Sequence, residues 1–370
     1  MYADDLLAPW HEQVMRLLPP LSVFDAHTHI GANDPDGFTC TPRELFAALA
    51  PTNSRAVVFP MHEPDGYSAA NDQVLRVAAQ SDGQLVPFCR VNPRDDPVAE
   101  VRRCLAAGAR GIKLHPRAEQ FVLLDRGVRD IVAVAEEERL PVLIHAGRGI
   151  PALGAHVLEL ARTHPHARFI LAHAGVSDLA WIWNHIAEHP NVFFDTAWYS
   201  AADLRALFAL VAPGQVLYGT DLPYGTPAQT MVITFRNALQ AGLSGDQIAS
   251  VAGGQLERLL AGDDLLDVGP APGPGALRSD PLLDRVGYYL VGAFATLVNG
   301  REPTEFSELT RLACQVGHDA PQAPICRSVV ALLDLADDLG SGRSLGERLP
   351  RIHLYVVAAT LAATPDVPVN

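Results

Sequence analysis

The chain has 370 residues, of which 48% are hydrophobic and 19% charged, so it can bury a large core and global disorder is excluded. The formal net charge of -14 at pH 7, with no local run of Lys or Arg to offset it, repels polyanions and excludes nucleic acid as an expected partner. Five cysteines without CxxC spacing are typical of reduced thiols in a cytoplasmic protein.

The sequence predicts neither a secretion signal nor a membrane span. Asp4 and Asp5 stand where a signal peptide needs basic residues. The most apolar stretches, 286–298 and 352–363, are shorter than the roughly 18 to 20 residues that a membrane helix requires. We therefore expect buried helices, no membrane partner and a cytoplasmic location.

Short apolar runs bounded by Gly, Pro or polar residues predict eight strands, with helix-period segments between them. The strands are expected at 21–25, 55–59, 85–89, 111–114, 142–144, 169–172, 192–195 and 216–219. The helices are expected at 41–50, 70–81, 97–107, 126–138, 150–163, 179–189 and 251–260. Thr41, Pro42 and Glu44 have the spacing of a capped helix start.

The alternation of strands and helices predicts the fold class. Strands that are apolar on both faces form a parallel sheet covered by helices, and eight repeats favour closure into a (β/α)8 TIM barrel. The alternative, an open doubly wound sheet, usually has a Gly-rich turn after its first strand. Here that turn reads DAHTH from Asp25 to His29, with no dinucleotide fingerprint.

The composition changes after the last predicted barrel element. The segment 269–275 reads GPAPGPG, which is typical of a linker, and only helix-period segments follow, at 283–297, 305–316, 325–339 and 351–363. We therefore predict a barrel over 1–267, a linker over 268–276 and a small all-helical domain over 277–370. Such apolar helices need a partner surface, so we expect the tail to dock on the barrel or on a second subunit, which makes a homodimer possible.

Histidine and aspartate side chains occupy the ends of several predicted strands. His27 and His29 have i, i+2 spacing and share one face of a strand. His145, His173 and Asp221 each close a strand in the same topological position. The carboxyl ends of the strands form the mouth of a TIM barrel, where active sites lie, whereas packing alone would place Val, Ile and Leu there.

These residues have the chemistry of a catalytic metal site. Zinc and similar divalent ions bind neutral imidazole and carboxylate, and an open position receives water or substrate. The set His27, His29, His145 and Asp221 is the predicted ligand group, with zinc as the favoured ion. His173 is expected as a general acid/base or as a ligand to a second ion, and Asp221 is counted as catalytic as well.

The motifs in order resemble the amidohydrolase superfamily. They are FDAHTH from Phe24, GIKLHP from Gly111, IHAG from Ile144, LAHAG from Leu171 and YGTDLP from Tyr218. The resemblance covers roughly residues 21–260 and is strongest to the amidohydrolase-related branch that includes aminocarboxymuconate-semialdehyde decarboxylase and ring-opening hydrolases. It implies His27, His29, His145 and Asp221 as ligands, and His173 as the catalytic histidine.

Lys113 leaves two alternatives open. Binuclear relatives carry a carbamylated lysine or a glutamate at the end of the fourth strand, and Lys113 could match it and bridge two ions. It could equally remain an ammonium that binds a substrate carboxylate. One ion is favoured, and His115, two residues further on, is a further candidate.

Substrate contacts are predicted from the loops that follow the strands. The substrate-binding candidates are Arg90, Lys113, Arg148 and Trp198, with Asn92 and Tyr199 as weaker ones. His62 and Glu63 are interpreted as loop residues. The remaining histidines are expected on the surface: His156, His164, His166, His185 and His189.

Three functions are compatible with these residues. The leading hypothesis is a metal-dependent hydrolase that uses a metal-activated water on an amide, lactone or related ester of a small molecule. The first alternative is a non-oxidative decarboxylase of an unsaturated or aromatic carboxylic acid, with the same ligands. The second is a scaffold or interaction protein that acts through the helical tail, which the intact ligand set disfavours.

Overall fold

Short parallel strands form the centre of the fold. The computed structural model describes residues 3–178 and 181–369. Within these ranges the strands are β1 Phe24–Ile30, β2 Arg55–Pro60, β3 Leu85–Pro87, β4 Cys89–Arg90, β5 Ile112–Leu114, β6 Pro141–Ile144, β7 Arg168–Leu171, β8 Val192–Asp195 and β9 Val216–Leu217. Strands β6, β7 and β8 are buried along their whole length, as strands covered by helices must be.

Hydrogen bonds close these strands into a barrel. The strands pair in sequence order within two parallel sheets, β1 to β3 and β4 to β9. The amide of Phe88 donates to the carbonyl of Val58 at 2.9 Å and joins the two sheets. At the other seam the amide of His29 donates to Leu222 (2.9 Å), and the amide of Asp221 donates to His27 (2.8 Å). The (β/α)8 TIM barrel predicted from the alternation is confirmed.

Helices surround the barrel and also make up the whole tail. The barrel part has α1 Asp4–Arg16, α2 Pro42–Leu49, α3 Ser68–Ala79, α4 Pro97–Ala106, α5 Arg126–Glu138, α6 Leu153–Thr163, α7 Ala201–Leu210, α8 Pro227–Gln240, α9 Gly245–Ala249 and α10 Gln255–Ala261. The tail has α11 Pro281–Val298, α12 Thr304–Ala313, α13 Ala323–Asp338 and α14 Leu345–Ala363. None of the helices in the described ranges is long and apolar enough to span a membrane.

Some boundaries agree with the sequence and others differ. The capping box of α2 is present, with Thr41 and Glu44 exchanging hydrogen bonds. Strand β1 runs to Ile30, whereas the sequence predicts that it ends at Asp25. The strand pairs with neighbours on both edges. The predicted strand is too short because the polar residues of β1 interrupt the apolar run. The third predicted strand is divided after Pro87, which has no N–H to continue the ladder.

The helix predicted at 179–189 is wrong for the part that can be compared. Residues 179 and 180 lie outside the described residues, and the segment beyond them holds a short 3-10 turn, Ile182–Asn184. The buried indole of Trp183 donates to the carbonyl of Ala174 at 2.8 Å. This bond holds the segment against the end of β7 as a compact turn.

The tail packs on the outside of the barrel. The buried guanidinium of Arg236 on α8 donates to the carbonyl oxygens of Thr364 (3.2 Å) and Val367 (2.8 Å), which follow α14. Arg205 on α7 donates to Ala363 at 2.8 Å. Apolar residues of α11 and α14 belong to the same buried cluster as the barrel helices. The division into units 1–267, 268–276 and 277–370 stays a prediction.

Candidate active site

A buried carboxylate ties the two strands that carry the site. Asp25 on β1 accepts hydrogen bonds from the amides of His27 (2.9 Å) and Thr220 (3.0 Å) and from the Thr220 hydroxyl (2.6 Å). Burial raises the pKa of Asp25 to about 7. Through these bonds Asp25 fixes the backbone of a histidine on the first strand and of the residue before Asp221.

Three of the four predicted ligands converge on one point. His27 and His29 alternate with Thr28 along β1, so both rings face the same side. Their Nε2 atoms lie 2.9 and 3.0 Å from the same carboxylate oxygen, Oδ1 of Asp221. Possible ligand atoms of His27, His29 and Asp221 all lie within 4.8 Å of one another. This group could hold a metal ion.

The surroundings of the two histidine rings show that His27, His29 and Asp221 fit a metal cation. Nδ1 of His27 donates to Oδ2 of the fully buried Asp195 at 2.8 Å, so the other ring nitrogen carries a lone pair that faces Asp221. A lone pair and a carboxylate oxygen repel each other unless a positive charge lies between them. Nδ1 of His29 is buried without a hydrogen-bond partner among the described residues. The donor set therefore suits a divalent ion.

A proton competes with an ion for the same position. Burial and the Lys113 ammonium oppose a charge on His27, but Asp221 and Asp195 outweigh them and raise the pKa of His27. For Asp221, burial favours the neutral acid, yet a charge on His27 and the hydrogen bonds from His27 and His29 hold its pKa well below the usual range. Asp221 is therefore a carboxylate at neutral pH, as a metal ligand must be.

The fourth predicted ligand, His145, lies outside this group. Its Nδ1 is 3.0 Å from Nε2 of His173, and its ring stacks on His115 with centroids 3.8 Å apart. Burial lowers the pKa of His145 well below its ordinary value. Its Nε2 is buried without a hydrogen-bond partner among the described residues. His145 as a ligand stays a prediction.

The tautomer of His173 follows from its partners. The carbonyl of Ala197 can only accept, so Nδ1 of His173 donates to it at 2.7 Å and Nε2 carries the lone pair. Burial lowers the pKa of His173 and keeps the ring neutral. Nε2 of His173 then accepts from Nδ1 of His145, which leaves a lone pair on Nε2 of His145. His173 and Asp221 both have left-handed backbone angles, with φ of 57° and 59°, a strained conformation that clusters at functional sites.

Lys113 lies directly beside the proposed ligands. It follows Ile112 on β5, is fully buried, and its Nζ is 3.3 Å from Nε2 of His27 and 4.6 Å from the centre of the Phe59 ring. Burial lowers the pKa of Lys113 to about 7. An amine that is partly neutral at physiological pH is compatible with both predicted roles, as a carbamate or as a charged contact to substrate.

The group forms the floor of a cavity of about 590 Å³ at the carboxyl ends of the strands. The predicted substrate contacts Arg90, Arg148 and Trp198 all line it. Arg90 is buried and paired with Glu119 at 2.7 Å. Arg148 is exposed, lies 5.5 Å from the centre of the Trp198 ring, and has no ion-pair partner in the part of the chain that the structure describes.

The weaker candidates divide between the cavity and the surrounding loops. Tyr199 lines the cavity, and so does His62, for which the sequence indicates only a loop position. Asn92 instead donates to Asp95 in its own loop, and Glu63 accepts from Asn33. The five histidines expected on the surface are exposed or half-buried, and none of them lines the cavity: His156, His164, His166, His185 and His189.

Sequence reasoning missed several residues of the site. Asp195 closes β8 just as His145 follows β6, so the positional rule that selected the histidines could have found it. Glu119 and Asp34 lie in irregular loops and had no such signal. Asp34 accepts a hydrogen bond from Tyr224, whose ring faces His29 edge-on at 6.0 Å. The cavity residues supplied by the tail could not be assigned to a site from their local pattern.

A parallel barrel that carries a His–His–Asp group at the carboxyl ends of its strands, where the active sites of TIM-barrel enzymes lie, is the arrangement of an enzyme whose site could hold a metal ion. The sequence comparison identifies the class more closely. Residues 24–254 match the profile of the amidohydrolase family, and the chain belongs to this family. No match was found among functionally curated proteins.

Solved structures share the barrel at low sequence identity. An uncharacterized TIM-barrel protein from Bordetella bronchiseptica has 18% identity and a TM-score of 0.53, with 65% of this chain and 99% of that one covered. 5-Carboxyvanillate decarboxylase from Sphingomonas paucimobilis has 14% identity, a TM-score of 0.52 and coverage of 65% and 99%. A probable 2-pyrone-4,6-dicarboxylic acid hydrolase from Acinetobacter baumannii has 12% identity and a TM-score of 0.51, with 65% of this chain and 100% of that one covered. Both reaction types thus occur on this fold.

Proposed function

We propose that the protein is a metal-dependent hydrolase that cleaves an amide, lactone or related ester of a small molecule. The observation that carries this proposal is the convergence of His27, His29 and Asp221 on one point in the cavity, with His173 beside them. Nδ1 of His173 lies 4.0 Å from the second carboxylate oxygen of Asp221. A metal group and a neutral histidine in one cavity are the parts that such a hydrolysis needs.

We propose one zinc ion, held by His27, His29 and Asp221 with His145 as the fourth ligand. Imidazole-rich sets with one carboxylate favour zinc, although manganese and iron also accept them. When bound, such an ion polarises the bond to be attacked and lowers the pKa of a water molecule to near neutrality. A second ion would require carbamylated Lys113.

The protein side chains then bind the substrate and move the proton. His173 is neutral and its orientation is fixed by Ala197. Once Nε2 exchanges the hydrogen bond from Nδ1 of His145 for one from the attacking water, it can take a proton from that water and return it to the leaving group. The carboxylate of Asp221 faces His173 and stabilises the imidazolium that forms. Lys113 and Arg148 are placed to orient the polar end of the substrate.

The second candidate is a non-oxidative decarboxylase of an unsaturated or aromatic acid. Arg148 and Arg117, both exposed, line the cavity, and Arg148 lacks an acidic partner among the described residues, which favours a substrate with a carboxylate. A decarboxylase requires that group, whereas a hydrolase does not. A scaffold role through the tail is disfavoured, because decay of catalysis would not be expected to preserve the His27–His29–Asp221 group.

One experiment separates these functions. The protein is purified without chelator and its metal content determined. It is then offered a panel of lactones and esters beside a panel of aromatic carboxylic acids, with carbon dioxide release as the second readout. We expect one zinc per chain and turnover of a lactone or ester that is lost in the His173→Ala variant. Carbon dioxide release without ester cleavage would establish the decarboxylase, and absence of any bound or restorable metal would contradict both.

We also propose a cytoplasmic location and a homodimer. The five cysteines form no disulfide, which suits a reducing compartment. Tyr288 and Val291 expose 72% and 61% of their surface on α11, and Leu312 on α12 exposes 61%. An exposed apolar surface of this kind supports contact with a second copy. Sedimentation analysis of the full chain tests the dimer.

A further inference from the structure

The cavity is built by two parts of the chain. Its floor and one side come from the barrel, but five apolar residues of the tail complete the wall: Phe294, Val298, Leu345, Leu349 and Ile352. They belong to α11 and α14, which follow the end of the matched family region at residue 254. The tail is therefore an addition to the family barrel that reaches its candidate active site.

Aromatic contacts join the tail wall to the barrel. The ring of Tyr199 lies 6.2 Å from Phe294 and 6.3 Å from His353, both in the tail. The buried His353 donates from Nε2 to the carbonyl of Tyr224 at 3.0 Å, in the loop that carries Asp221. This bond and the packing of Leu349 in the cluster that contains Phe38 hold α14 at the cavity. The wall is thus a fixed part of the fold.

The two ends of the cavity differ in chemistry. The barrel end of the cavity holds the His27–His29–Asp221 group, Lys113 and the arginines, whereas among the described residues the tail end is lined by aliphatic and aromatic groups of α11 and α14 alone. A substrate small enough to contact the floor alone would leave the tail wall in contact with water. Burial of apolar surface against this wall is favourable in proportion to its area. The cavity therefore suits a molecule with a polar head and an apolar arm.

We propose that the helical tail selects the substrate: a carboxylate or its ester or lactone that carries an alkyl or aryl arm of several carbons, with the arm against α11 and α14. The proposal rests on the proposed function only for the position of the reacting end. The tail residues are specificity-determining and contact the arm, not the reacting atoms. Each methylene buried on the wall should tighten binding about fourfold.

Calorimetric titration of the metal-loaded full chain with straight-chain carboxylic acids, from acetate to decanoate, tests this. We expect the dissociation constant to fall about fourfold per added methylene until the wall is covered. The double variant Phe294→Ser, Leu345→Ser, at two half-buried positions, should reduce this dependence by at least half. The matched control is Leu282→Ser, Leu339→Ser, at two exposed positions of the tail outside the cavity and outside the proposed dimer contact, which should leave the dependence unchanged.

A second variant covers the case in which the double variant fails to fold. Leu345→Trp adds bulk to the wall without opening a cavity and should weaken the long acids by tenfold or more while acetate is unaffected. A dissociation constant that does not depend on chain length in the wild type, or no binding of decanoate, overturns the proposal. Equal loss in the Leu282/Leu339 control overturns it as well. Because the titration measures binding, its failure is distinct from failure to find turnover, which would contradict the proposed function instead.

Discussion

Replacement of Asp195 by Asn tests whether this carboxylate fixes the tautomer of His27. In the wild type, Oδ1 of Asp195 accepts from the amides of His173 (2.8 Å) and Ala197 (3.1 Å), and Oδ2 accepts from Nδ1 of His27. An asparagine can keep the first two bonds through its carbonyl oxygen. Its NH2 group would then face Nδ1 of His27 and donate to it, which forces the ring proton onto Nε2.

The size of the effect follows from this tautomer change. With the proton on Nε2, His27 can bind a metal only if it gives up the bond to the introduced asparagine and leaves a buried donor unpaired. Loss of the carboxylate partner of a metal-bound histidine typically costs 10- to 100-fold in metal affinity, or about 1.4 to 2.7 kcal/mol. Because the change is isosteric and two of the three hydrogen bonds survive, we expect a folded protein.

Competition against a chelator of known affinity measures the zinc dissociation constant of each variant. The matched control is Asp203→Asn, which removes a carboxylate that accepts from the indole of Trp198 at 2.7 Å but touches no histidine of the group. We expect wild-type affinity in the control and a 10- to 100-fold loss in Asp195→Asn. Equal zinc affinity in Asp195→Asn and the wild type would refute the assigned tautomer and, with it, the metal position at Nε2 of His27.

Three further predictions concern the histidine base, the effect of pH and the tail. His173→Ala should retain its metal while turnover falls by roughly 10²- to 10⁴-fold, and loss of the metal would instead identify His173 as a ligand. Because the pKa of His27 is raised, zinc should be retained at high pH and lost as the pH falls through that pKa; retention that improves on acidification would be inconsistent with His27 as a ligand. Truncation after Asp267 exposes the barrel surface around Arg236 and should cause aggregation, as measured by light scattering; a soluble, monomeric barrel would show that the tail contacts contribute little.

The sequence alone predicted those features of the fold and of the site that depend on a local pattern of neighbouring residues. A run of apolar residues closed by His or Asp predicts a side chain at the barrel mouth, because parallel strands all end at the same edge. This rule brought together His27, His29 and Asp221. The capping box at Thr41 is another local pattern that the structure confirms. Such features depend on a few neighbouring residues and are therefore visible without the fold.

What the sequence could not supply depends on long-range packing. Strand position places His145 at the mouth, but its ring conformation is set by stacking on His115 and by the bond to His173. The tail pattern predicts apolar helices, yet which of their faces would reach the cavity depends on how α14 docks through Arg236 and His353. The sequence predicts too early an end for a strand such as β1, because the polar residues that belong to the site interrupt the apolar pattern by which a strand is recognised.

The turn from Asp195 to Ala197 fixes the tautomers of both His27 and His173. Asp195 holds the proton of His27 on Nδ1, away from the proposed metal position, and two residues later the carbonyl of Ala197 holds the proton of His173 on Nδ1, away from the nitrogen proposed as the base. Between them, the amide of Thr196 donates to Leu217 at 3.0 Å and fixes the turn to the last strand. A shift of this turn would therefore change metal binding and proton transfer together. Substitutions that loosen it without touching either histidine should lower both zinc affinity and turnover, whereas independent effects on the two would indicate that the histidines are set separately.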